Sequence, residues 1–173
     1  MKEIAMTMPA TTASAPTRLA DRILCIFTPV PYWPIGLGAR IALIRVFWWS
    51  ARTRVVPGTW FSLNDTTTYL FENEFRIHLP WTDFALPVPD LFAWVTMTCE
   101  HLFPILLVLG LGTRFAGLGL LGMTMVIESI YPENYNEHLP WAICCLVLIK
   151  WGGGIFSLDA LIAKVSGRKI VAG

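Results

Sequence analysis

Two apolar segments, Leu91 to Leu111 and Phe115 to Tyr131, are separated only by Gly112-Thr113-Arg114, and this spacing constrains the fold more than any other feature. So short a connection makes two helices return side by side through the same layer. A bilayer core needs about 20 apolar residues per helix, and both segments approach that length. Pro34 to Arg52 and Leu139 to Phe156 have a similar character. The expectation is an all-α, four-transmembrane-helix bundle over residues 34–156, with spans at about 34–52, 91–111, 115–131 and 139–156. Composition agrees: 55% of the 173 residues are apolar and 14% are charged, against about a quarter charged in soluble domains. The deficit calls for a lipid bilayer as partner. A net charge of +1 without a clustered basic face argues against nucleic acid.

The flanks set the expected orientation. Residues 1–33 read as a disordered tail and interfacial lead-in, because Lys2 and Glu3 precede an Ala/Thr/Ser/Pro-rich stretch with no apolar core of signal-peptide length. Lys and Arg accumulate on cytoplasmic flanks. Lys2, Arg18, Arg22, Arg114, Lys150, Lys164, Arg168 and Lys169 fall on one side of the four spans, and Arg52, Arg54 and Arg76 on the other. Both termini are therefore expected in the cytoplasm. The first external loop is long enough for a short interfacial helix, capped by Asn64 or Asp65 and running to Phe75. Gly152-Gly153-Gly154 stops the last span, and Ser157 caps an amphipathic helix to Val165 within a cytoplasmic tail, 157–173. Cys25, Cys99, Cys144 and Cys145 all lie in apolar segments without Cys-x-x-Cys spacing, as buried small apolar residues do.

Glu100 and His101 carry the most chemical information. Glu100 lies roughly 14 Å from the external end of its span at the α-helical rise, and a charge there costs several kcal/mol unless paired. Arg40 and Arg45 in the first span are the candidate partners. Arg45 is about 16 Å in from Pro34, at a similar height, which predicts a Glu100–Arg45 ion pair. Two readings stand: mutual neutralisation, or a polar pocket that binds a quinone headgroup, passes protons or holds a metal. A second, external cluster comprises Glu72, Glu74, His78, Glu128, Glu133, Glu137 and His138. It is open to a divalent metal, to ordinary solvation, or to His138 packing on Trp141. Glu74 and His78, four apart, either share a helix face or flank a helix end.

The run from Glu100 through Pro104, Leu106-Leu107 and Gly110 to Thr113-Arg114 resembles the second-span signature of the DoxX family of membrane proteins. Arg40 with Val46-Phe47, Leu70 to Phe75, Gly122-Met123-Thr124, His138 to Trp141, and Gly152 to Gly154 with Ser157-Leu158-Asp159 resemble other family segments in the same order. Arg45, Gly153 and His78 depart from the pattern. The resemblance implies a four-helix membrane bundle and points to Arg40 as the family's partner for Glu100. It further implies a redox association, since members resemble a subunit of thiosulfate:quinone oxidoreductase.

The functional expectation is a subunit of a quinone-linked complex in a bacterial inner membrane, using quinone from the membrane pool and no covalently bound cofactor. The sequence lacks paired transmembrane histidines for haem, a Cys-x-x-Cys-His and a dinucleotide fingerprint, so a partner subunit must carry the redox centre and the chain is not a self-sufficient enzyme. Two alternatives stand beside it. One is a structural or assembly subunit of a respiratory or photosynthetic complex, and the other a small metal- or solute-handling protein using Glu74, Glu128 or His138.

Overall fold

The computed structural model describes residues 31–79 and 81–167. The expected tail up to residue 30, with Lys2, Arg18, Arg22 and Cys25, lies outside the described residues, as do Arg168 and Lys169. Four long helices dominate: α1 Tyr32–Arg54, α3 Pro89–Leu109, α4 Thr113–Ile130 and α5 Tyr135–Trp151. A short α2, Asp65–Tyr69, and a terminal α6, Leu158–Val165, complete the helices, with a 3-10 turn at Pro132–Asn134. The packing runs in a ring, α1 on α3, α3 on α4, α4 on α5 and α5 back on α1.

The four-residue spacing of Ala39, Leu43 and Phe47 places them on one stripe of α1. There they meet Phe103 and Leu107 of α3, Ala116 and Leu120 of α4, and Cys145 and Leu148 of α5. The outer faces are apolar as well, with Trp49, Val95, Phe115, Met125 and Leu146 exposed. Helices apolar all round need lipid or a partner outside the bundle. Both α3 and α4 are long and apolar enough to cross a membrane. In α1 the four arginines at 40, 45, 52 and 54 dilute the apolar character, and α5 has 17 residues with Lys150 in its last turn.

A polar staple closes one end of the ring. Gly110 and Gly112 take positive φ of 65° and 57° to turn the chain from α3 into α4. The Asp159 carboxylate accepts from Gly112 N at 2.7 Å and Thr113 N at 2.9 Å, capping α4 from 46 residues away. Ser157 caps α6 through Ala160 N at 3.1 Å, as the sequence predicts. Asp159→Ala is expected to lower stability by about 1–2 kcal/mol, the worth of a strong N-terminal cap, read by reversible unfolding in mixed SDS and dodecylmaltoside micelles.

The loop before α3 departs from the all-α expectation. Asn64 caps α2, its side chain accepting from Thr67 N at 2.7 Å, and a π-helical turn, Leu70–Glu74, extends the helix. The chain then forms an antiparallel hairpin of β1 Arg76–Leu79 and β2 Thr82–Ala85, pairing Ile77 with Phe84. Pro80 bars a continuing helix, and Ile, Thr and Phe favour the pleated alternative. Phe71, Phe75, Leu86 and Ala93 form a second apolar cluster where this loop packs on α3.

Candidate functional site

Glu100 projects from α3 toward α1 and is fully buried. Its charge is met by Arg54, whose Nε donates to Oε2 at 2.7 Å and whose Nη2 donates to Oε1 at 3.2 Å. Ser50 Oγ adds a third hydrogen bond to Oε1 at 3.1 Å. Ser50 and Arg54 are four apart, hence on one face of α1. The Arg54 guanidinium also lies over the Phe71 ring, 5.4 Å from its centre, so the loop roofs the ion pair.

This corrects the expected Glu100–Arg45 pair. Arg45 and Arg54 are nine residues apart, and at about 100° per residue they point to opposite sides of α1. Arg45 is exposed on the outside of the bundle. Height failed as well as azimuth, because Arg45 lies about 13.5 Å from Arg54 along the axis. Arg40 shares the face of Arg54 but lies about 21 Å further along the axis, so it cannot serve as partner to Glu100 either. It is instead a buried clamp. Its Nε donates to Leu107 O at 2.8 Å and its Nη2 to Val108 O at 2.9 Å, while Nη1 donates to Phe156 O at 2.7 Å and Gly153 O at 3.2 Å. The first two carbonyls lie in the last turn of α3, where the regular helical donors run out and the dipole favours a cation.

His101 is turned away from Glu100. Its Nδ1 donates to Met97 O at 2.8 Å, and its ring sits among Trp48, Trp60 and Phe61. Its Nε2 is buried without a partner among the described residues.

Of the external cluster, the structure joins two members. His138 Nδ1 meets Glu128 Oε2 at 2.6 Å, and the imidazole packs on Trp141 with centres 5.0 Å apart. Glu74 and His78 are exposed and apart from this pair, Glu74 closing the π-helical turn and His78 on β1. Among the described residues no three His, Cys, Asp or Glu side chains are grouped as metal ligands would be.

A cavity of about 580 Å³ runs between Arg54 and His138, bounded by α1, α3, α4, α5 and the loop. Val46, Phe103, Met123 and Ile127 supply apolar walls, while Ser50, Arg54, Asn134, Glu137 and His138 bring polar groups to it. Glu100 stands behind Ser50 and Arg54, which face the cavity. With Nδ1 of His138 committed to Glu128, Nε2 is the ring atom left for a guest. Gly122 lines the cavity, and a Cβ there would meet nothing within 4 Å. Sequence reasoning missed Arg54 and Ser50. Their signal was the seven-residue repeat of Arg40, Phe47 and Arg54, which marks one inward face.

The DoxX profile matches residues 36–131. That segment contains Arg40, Arg54, Glu100 and Glu128 and stops short of His138 and Asp159. An uncharacterized protein of Haemophilus influenzae is 36% identical over 95 residues, covering 50% of this chain and 63% of its own length, so the chain spans less than two thirds of that relative. No solved structure matches. The matched segment covers more than half of the 173 residues and carries the buried Glu100 and the Arg40 clamp, so the chain belongs to the DoxX family of membrane proteins.

Proposed function

We propose that this protein is a four-span subunit of the bacterial inner membrane, both termini cytoplasmic, that holds a quinone-class molecule for an associated redox complex. The cavity carries this reading. Its volume of about 580 Å³ falls within the roughly 300–1,000 Å³ usual for ligand pockets. Its walls suit an isoprenoid tail. Its polar groups suit the two carbonyls of a quinone ring: Ser50 and Arg54 offer donors, and His138 Nε2 offers a site for a proton. Glu100 holds the Arg54 guanidinium in place, and Glu128 orients the His138 ring, a second-partner role common to functional imidazoles. The redox centre belongs to a partner subunit.

The test is quenching of tryptophan fluorescence by decylubiquinone, since Trp141 lines the cavity. Saturable quenching at one quinone per chain is expected. Gly122→Phe fills the void and is expected to raise the apparent Kd at least about tenfold while leaving unfolding unchanged, because the loss of one well-fitted ring contact set amounts to ~1.4 kcal/mol or more. Non-saturable quenching of the unaltered protein, or equal quenching of a folded Gly122→Phe protein, overturns the reading.

A further inference from the structure

The outward face of α1 carries Gly38, Ala42, Arg45 and Trp49 at steps of four, three and four, all exposed. Such steps keep the four within about 60° of arc on one stripe. Gly38 has no internal purpose: a Cβ there would meet nothing within 4 Å, and glycine inside a helix is unfavourable relative to alanine. Gly38 and Ala42, four apart, form the small-residue notch that lets a second helix approach closely. Arg45 is the observation that says what that helix carries. Every other arginine of α1 is engaged: Arg40 on four carbonyls, Arg52 on Thr59 O, Arg54 on Glu100. Among the described residues no carboxylate pairs with Arg45, although it stands between exposed Ile41 (58%) and Trp49 (74%).

We propose that this face docks a transmembrane helix of another protein, one that bears a carboxylate level with Arg45 and crosses closely over Gly38 and Ala42. The proposal rests on the four-span reading, which puts Arg45 within the hydrocarbon layer, where an unpaired guanidinium is unfavourable. Among the described residues, a second copy offers no free carboxylate at that level: the long helices carry Asp90 and Glu137 in first turns, and Glu100 and Glu128 already paired. A symmetric dimer on this face would also set two Arg45 side chains against each other.

The experiment uses the full chain in phosphatidylethanolamine/phosphatidylglycerol vesicles and labelled Leu-rich transmembrane peptides with a single central Asp or none, read by energy transfer. The Asp peptide is expected to bind about tenfold more tightly than the all-Leu peptide, the fold-change typical of a membrane-buried polar contact. Arg45→Leu is expected to erase that preference, and Gly38→Leu with Ala42→Leu to weaken both peptides. Equal binding of the two peptides, or a preference that survives in Arg45→Leu, overturns the proposal and leaves the four-span reading intact. Energy transfer between labelled copies of the chain that Arg45→Leu abolishes makes the face a homodimer surface and also overturns it. In a cysteine-free background, Ile35→Cys and Pro57→Cys reacting with an impermeant thiol reagent from the same side of the vesicle overturn both readings together.

Discussion

Arg54→Met is expected to lower the stability of the detergent-solubilised protein by about 3–5 kcal/mol, the cost of leaving a buried carboxylate unpaired. Glu100 has no exposed surface and takes two of its three hydrogen bonds from Arg54. Glu100→Gln is expected to lose less, because a neutral amide can keep the Ser50 contact. The double variant Arg54→Met with Glu100→Leu should regain most of the loss, since replacing both members of a buried pair with apolar groups is often neutral. Unfolding in mixed micelles checks all three. A double variant as unstable as Arg54→Met would show that the pair contributes more than mutual neutralisation.

Arg40→Met is expected to be comparably severe, at about 3 kcal/mol or more, because it strips charged donors from four carbonyls. Arg40→Lys is expected to recover less than half, since one ammonium cannot reproduce a planar fork reaching two chain segments. Decylubiquinone binding at a temperature where the variant stays folded should be unchanged, because Arg40 does not line the cavity. Lost binding in a folded Arg40→Lys protein would tie the clamp to the site.

The four long helices were legible as segments, although the last, expected at 139–156, runs Tyr135–Trp151. Gly112 at the α3–α4 turn and Asn64 and Ser157 as caps all act within a few residues. Glu100 was legible as a buried charge needing a partner. Its partner was not, because neither the stagger of two packed helices nor the rotation between them can be counted from sequence. Arg45 and Arg54 are two and a half turns and about 13.5 Å apart, and the stagger and facing of α1 against α3 decide between them. The Glu128–His138 pair joins α4 to α5 across ten residues, a contact that depends on how the 3-10 turn at Pro132–Asn134 folds back. The hairpin at 76–85 was obscured because four-residue strands leave too short a pattern to separate from loop.

The Arg40 clamp also orders events in time. Its acceptors Gly153 O and Phe156 O lie 113 and 116 residues further along the chain, and the α4 cap from Asp159 arrives later still. A ribosome makes α1, α3 and α4 before any of these groups exist. The guanidinium of Arg40 must therefore wait, half-satisfied by α3 alone, until the last helix has been delivered. Loss of the final segment from Gly152 onward would leave the bundle with Arg40 half-satisfied and α4 uncapped, the form that a membrane protease or chaperone would meet first.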